Sequence, residues 1–448
     1  MRSGLRRGAW TILAVVLALM PAAGAQAIDI KEVTTPLGIK AWLVEDKTTP
    51  IVALSFSFAT GTASEDEKQR GVTQLTAALL TDGAGPFSSL AFKQRLEEAS
   101  VSISFGASFD RFSGSMRALS ANREESFDLL RLSMTAPRFE KEALDQRRAQ
   151  TLSGINQAQQ RPPSVAARAM MGAMFAGHPY ANDPEGTRET LAALTPEDLK
   201  RRAAAVLTRS GLIVAAVGDI DEAELTRQID RAFGALPAGA LKAPPPDWTP
   251  PTRPRTVVIE RAVPQSVVLM ALPGVPRNDP DWYAAFVMNH ILGGGGMQSR
   301  IFTEVREKRG LAYGASTSLR NYRKASLLVA STASASEKVA EAIKVIRGEF
   351  VRMREGVSEA ELTDAKTFLT GALALSLDSS SSIASLMHAM QIDGLAPDHL
   401  TKRGQLIAAV KGEDIKRVAR RMLRDDAITT IVVGKPVGVV SDPRDKKE

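Results

Sequence analysis

The 448-residue sequence contains no cysteine. That excludes a disulfide framework, a thiolate metal site, a cysteine nucleophile and the acylated cysteine of a bacterial lipoprotein. Histidine is almost as scarce, with His178, His290, His388 and His399 making up all four copies. No two of them stand at the spacing H-E-x-x-H, H-x-x-E-H or H-x-x-x-H, so no helix presents two imidazoles to one metal ion. A G-x-S-x-G elbow is also missing, which argues against a serine hydrolase built on that turn. Aromatic residues are only 5% of the chain, and no Lys/Arg run interleaved with them supports a nucleic-acid face. The apolar run Ala9–Met20 falls well short of the ~20 residues that a membrane span requires, which excludes a stable anchor there.

What remains is an ordinary globular composition, 44% hydrophobic and 24% charged. The length points to two to four domains at roughly 150 residues each. Arg2, Arg6 and Arg7 precede the apolar run, and Pro21 precedes Ala25-Gln26-Ala27, a small-x-small cleavage site. Residues 1–27 thus read as a cleavable signal peptide, with release into the periplasm. The net charge is +7, three of it in that leader, so the mature chain carries about +4, too mild to argue for nucleic acid.

The chain repeats itself at long range. Glu197-Asp198-Leu199-Lys200-Arg201 recurs as Glu413-Asp414-Ile415-Lys416-Arg417, each on an amphipathic helix. An apolar strand follows each copy, Leu212–Val217 and Ile428–Val433, ending in Val217-Gly218-Asp219 and Val433-Gly434-Lys435. A single offset relates all these pairs, which means duplicated domains rather than a solenoid of short units. Between them, prolines at 237, 244, 245, 246, 250, 251 and 254 make a stiff linker. Each half predicts strands first (39–44 and 51–58; 256–260 and 267–272), then a helix (72–80; 282–292). Paired strands (101–107 with 112–119; 313–319 with 325–331) and long helical runs follow. The fold class is α+β: two homologous domains, 28–236 and 255–440, joined by the linker 237–254. Each is a mostly antiparallel sheet with helices packed on one face.

Two segments could carry chemistry. Gly293, Gly294, Gly295 and Gly296 lack the Lys-Ser/Thr pair of a phosphate loop and follow a helix, so they read as a helix end or as a mobile substrate-binding loop. Arg306-Glu307-Lys308-Arg309-Gly310-Leu311-Ala312-Tyr313 reads as a helix end, a glycine stop and a strand start. A solvated helix face and a packing tyrosine are the ordinary interpretation of Arg306 and Tyr313. Together they also offer a guanidinium and a phenol, donors able to stabilise the oxyanion of an attacked peptide carbonyl.

The chain resembles the pitrilysin-type inverzincin peptidases, the insulinase-like family that includes mitochondrial processing peptidase subunits and bacterial periplasmic members. The resemblance runs from about Lys31 to Lys435. It is carried by His178-Pro179-Tyr180, Thr195-Pro196-Glu197-Asp198-Leu199, Gly211–Gly218, Leu292-Gly293-Gly294 with Ser299-Arg300-Ile301-Phe302, and 306–313. It implies a zinc-binding H-x-x-E-H helix in the first half, and there the sequence departs. Gln74, Ala77 and Ala78 stand in the His, Glu and His positions, and Gln150–Gln157 offers no later glutamate ligand. Arg306 and Tyr313 match the family's Arg/Tyr pair. The resemblance thus implies the non-metal-binding subunit of a heterodimeric zinc metallopeptidase, inactive alone. A homologous partner subunit would hold the Zn2+, and Arg306 and Tyr313 would serve as the catalytic donors to a bound peptide. The other expectation is a catalytically inactive peptide-binding or structural scaffold of the same fold.

Overall fold

The computed structural model describes residues 28–443, so the expected leader lies outside it. Strands β1 (Lys31–Thr34), β2 (Lys40–Glu45), β3 (Ile51–Phe58), β4 (Ser102–Ala107), β5 (Phe112–Leu119) and β6 (Ile213–Gly218) form a six-stranded sheet in the order β1-β2-β6-β3-β5-β4. Strands β7 (Arg255–Glu260), β8 (Gln265–Pro273), β9 (Ala312–Tyr322), β10 (Ala325–Ala335) and β11 (Thr429–Gly434) form a second, in the order β7-β11-β8-β10-β9. The orders are the same apart from β1, an added edge strand that the sequence reading did not include. One pair in each sheet is parallel, β2 with β6 and β7 with β11, and the rest are antiparallel. The mixed sheets are therefore mostly antiparallel, as the strand-first pattern predicts.

The closing strands are buried along almost their whole length because both of their faces are covered. On β6, Val214 and Ala216 join the core beneath the first half's own helices, while Ala215 and Val217 join a separate cluster. That second cluster is filled by Ala384, Met387 and Met390 of the helix Ser380–Ile392, which belongs to the other half of the chain. The converse holds for the second sheet. Ile431 and Val433 of β11 pack with Ala166, Met170 and Met174 of the helix Pro162–Met174 from the first half. Each sheet thus has its own helices on one face and is packed on the other chiefly by one helix from the opposite half. The polar run Ser379–Ser382 starts the first of these crossing helices. Ser379 caps it, accepting a hydrogen bond from the Ser382 amide.

The proline-rich segment 237–254 has no helix or strand, yet it is pinned at several points. His178 accepts from the Tyr180 amide at Nδ1 (3.2 Å), which leaves Nε2 to donate to the Pro246 carbonyl (2.9 Å). Trp248 Nε1 donates to the Met174 carbonyl (2.8 Å), and Lys324 pairs with Asp247 (2.6 Å). His178-Pro179-Tyr180 opens a short helical turn with a packing role between the halves. The Tyr180 hydroxyl donates to Asp110 (2.5 Å), which also accepts from the Arg323 amide (2.9 Å).

Candidate functional site

In the first half, the helix Val72–Leu79 packs on the helices Lys141–Gln160 and Pro196–Val206 and on β4. Its start is held firmly. The Glu65 carboxylate accepts from the amides of Gly71 (3.0 Å) and Thr73 (2.7 Å). Buried Arg202 donates to Thr73 Oγ1 (2.8 Å), the Gly61 carbonyl (2.8 Å) and Ser64 Oγ (2.9 Å). The helix is well anchored, and what it carries is unsuited to a metal. Gln74 donates its amide to the Ala107 carbonyl at the end of β4 (3.0 Å), and Ala77 is buried. Among the described residues, no group of three or more His, Cys, Asp or Glu side chains is placed to hold an ion. An amide and two methyl groups do not fit zinc, which needs imidazole, carboxylate or thiolate ligands.

The four imidazoles lie apart, each in its own setting. His399 Nε2 accepts from the Tyr283 hydroxyl (2.6 Å) and from Arg277 (3.2 Å). His290 stacks on Phe368 with centroids 4.9 Å apart, and burial holds its pKa below the usual value. His388 meets Ser57 across the domain contact.

In the second half, the stretch expected to end a helix ends in π-helical turns, which widen the helix by one residue. The first spans His290–Gly294, with the Gly295 amide donating to the His290 carbonyl (2.8 Å). The second spans Thr303–Glu307, with the Lys308 amide donating to Thr303 (3.0 Å). The glycine run is part of this packing. A Cβ on Gly293 would lie 2.6 Å from the Thr317 nitrogen of β9, so a larger residue would push the turn off the strand. An open cavity of about 580 Å³ lies beside it, lined by His290, Gly295, Gln298, Arg300, Glu361 and Phe368 among others.

The cations of this stretch separate into two kinds. Arg300 forms a two-pronged pair with Glu361 (2.6 and 2.8 Å), whose carboxyl is pulled down to about 2, chiefly by that bond. Lys308 and Arg309 both donate to Glu304, likewise held at about 2. Arg306 has no carboxylate partner among the described residues. Its guanidinium instead lies over two rings, 5.1 Å from the Phe302 centroid and 4.4 Å from that of Tyr313. Stacking of this kind contributes about 0.5–1 kcal/mol near the surface and fixes the plane of the guanidinium. Tyr313, the second residue of β9, is 80% exposed, and its hydroxyl has no partner among the described residues. The structure therefore brings Arg306 and Tyr313 together as adjacent, unspent donors.

Sequence reasoning missed two features. One is a buried cluster in which Arg111 Nε donates to Ser57 Oγ (2.6 Å), which leaves that hydroxyl's proton for His388 Nε2 (2.7 Å). The other is a groove along the helix Lys141–Gln160 lined by Arg147, Arg161 and Arg168. The seven-residue spacing of Arg161 and Arg168 was the one available signal for it.

A two-sheet α+β chain with a peptidase-type helix lacking metal ligands is thus defined by fold and site together. Two family models match it: insulinase (peptidase family M16) over residues 40–188, and peptidase M16 inactive domain over residues 193–369. The chain has the M16, or insulinase, fold in both halves. A solved structure described as a peptidase M16 inactive domain from Pseudomonas fluorescens is 28% identical with a TM-score of 0.86, covering 93% of this chain and 100% of that one. The non-peptidase homolog YmxG of Helicobacter pylori is 27% identical over 73% of this chain and 76% of its own length. An uncharacterized zinc protease of Streptomyces coelicolor is 26% identical over 88% of this chain and 87% of its own. The periplasmic protease PqqL of Escherichia coli shares the fold at a TM-score of 0.78 and 20% identity, this chain matching 46% of its length.

Proposed function

We propose that this protein is a catalytically inert M16-fold chain that binds extended or unfolded peptide segments in the periplasm without cleaving them by itself. The observation that carries this reading is the helix Val72–Leu79, which is held in place by Glu65 and Arg202 while presenting Gln74 and alanines where a peptidase needs metal ligands. Strands β4 and β9 each pair on one side only, and an open sheet edge is a common docking site for an extended peptide. Among the described residues, no helix is long and apolar enough to cross a membrane. The test is a binding titration of the purified mature chain with unstructured peptides, run beside a cleavage assay and metal analysis. Saturable binding with intact peptide and far less than one zinc per chain is expected. Cleavage by the chain alone, with one zinc bound, would overturn the proposal.

A second reading has its own observation in its favour, the adjacent donors Arg306 and Tyr313. In it the chain is the non-metal-binding half of a heterodimer with a homologous zinc-bearing subunit. Arg306 and Tyr313 then donate hydrogen bonds to the carbonyl oxygen of a peptide held by that partner. Such donors act where charge develops, and losing one costs about 10²–10³-fold in rate. Mixed with an exported homologue carrying H-x-x-E-H, the chain should then support cleavage that falls by about that factor for Tyr313→Phe. Equal rates for wild type and variant would rule out this role.

A further inference from the structure

The groove along the helix Lys141–Gln160 holds about 370 Å³ and is lined by Arg147, Gln150, Thr151, Arg161, Arg168 and Glu185 among others. Its side chains include three guanidiniums and one carboxylate. The guanidiniums are not equally committed. Arg168 is paired with Asp183, with Nε and a terminal nitrogen each 2.7 Å from one carboxylate oxygen. Arg147 reaches only Asp82, at 3.6 Å, and Asp82 is already in a tighter pair with Lys93. Arg161 makes no side-chain hydrogen bond or ion pair among the described residues. Of the segment 150–157, where the family resemblance leads one to expect a zinc-ligand glutamate, Gln150, Thr151, Gly154 and Ile155 line the groove. A lining with Gln150 and Thr151 beside three arginines disfavours a cation and suits a carboxylate, which a guanidinium binds through two parallel N–H donors. The volume falls within the range of small-ligand sites and leaves room for the residue that bears the anion.

We infer that this groove is a carboxylate-binding site for peptide, taking either a free C-terminus or an acidic side chain. The inference rests on the peptide-binding reading above and adds the class of group recognised. The two sources share one chemistry, and the test separates them. Three labelled peptides of the same unstructured sequence are titrated by fluorescence polarisation into the full mature chain. One has a free C-terminus, one is amidated and free of acids, and one is amidated with an internal glutamate.

The wild type should bind at least one carboxylate peptide about tenfold tighter than the neutral one, with the preference shrinking as salt is raised. Which peptide gains identifies the source. Arg147→Gln combined with Arg161→Gln should abolish the preference and leave the neutral affinity unchanged. Both side chains are partly or fully exposed, and an unaltered melting temperature would confirm that the fold is kept. Equal wild-type affinity for all three peptides would overturn the inference, as would an equal loss for the neutral peptide in the double variant. Either result leaves the peptide-binding reading standing. Failure of every peptide to bind would remove both. Displacement by inorganic phosphate without any carboxylate preference would reassign the groove and also overturn the inference.

Discussion

Acidification from pH 7 to pH 4.5 is expected to lower the thermal midpoint of this protein, and His388→Gln is expected to remove much of that loss. His388 lies on the crossing helix Ser380–Ile392 and is buried against β3. Burial, with the nearby Arg111 guanidinium second, pushes its pKa down from 6.5 to about 4. Its neutral ring is fixed by the hydrogen-bond chain, because Ser57 Oγ accepts from Arg111 and must give its own proton to Nε2. Arg111 cannot reverse that order. Although burial brings its pKa down to about 10, it stays protonated here and also donates to the Ser57 and Gly211 carbonyls (3.1 and 3.0 Å).

The sign follows from the protons bound in each state. Above pH 6.5 the ring is neutral folded and unfolded. Between 6.5 and 4 the unfolded chain takes up a proton that the folded chain refuses, so stability falls as the pH is lowered. The shift from 6.5 to about 4 corresponds to a loss on the order of 3 kcal/mol. His290 and His399, also shifted down, add in the same direction. Glu304 and Glu361, held at about 2, contribute only as pH falls below 4.5. Glu65, raised chiefly by burial, works the other way above pH 4.5, where the folded carboxyl takes up its proton before the unfolded one does. A glutamine can still accept from Ser57 but does not titrate. The wild-type and His388→Gln midpoints should therefore converge between pH 7 and 4.5. Parallel curves would mean that His388 is not the group responsible.

Gly218→Ala should destabilise the protein by roughly 4 kcal/mol, at the upper end for a single substitution. Gly218 ends β6 with φ at 136°, and a Cβ there would sit 2.0 Å from the Ile51 carbonyl oxygen of β3. That oxygen is fixed, since it also accepts from the Asp219 amide (2.9 Å). Gly434 ends β11 in the same way, with φ at 153° and Ser266 Oγ 2.1 Å from the ideal Cβ position. Turning that hydroxyl would relieve only the closest approach, because Ser266 Cβ (2.7 Å) and Cα (2.8 Å) would still be too near, so Gly434→Ala should also be costly. Gly38→Ala is the control. Its φ of 77° is also left-handed, but nothing lies within 4 Å, and about 1–2 kcal/mol of backbone strain is expected. Chemical denaturation of the three variants measures the order. If Gly218→Ala cost no more than Gly38→Ala, close strand approach would not be the reason for the repeated glycine.

That repeated Val-Gly shows how far local patterning reaches. Periodicity located the main strands of both sheets to within a few residues, because alternation and apolar runs record burial on a strand's faces. The single offset between Glu197–Arg201 and Glu413–Arg417 exposed the duplication, and the twin sheets confirm equivalent strand orders. That Gln74, Ala77 and Ala78 offer no metal-ligand side chains was also legible, since ligand chemistry resides in residue type.

What the sequence could not decide was which surfaces meet. Nothing local assigns the helix Pro162–Met174 to the second sheet or Ser380–Ile392 to the first, because an apolar helix face fits either one equally well. The π-helical turns at His290–Gly294 and Thr303–Glu307 depend on packing against β9. Arg306 was one of several cations until the fold paired the others with Glu361 and Glu304 and left it over Tyr313. Residue type and periodicity thus determined the elements and the missing metal chemistry. The partners of each charge and each face were decided only in three dimensions, because pairing joins side chains far apart along the chain and depends on which competitors are already taken.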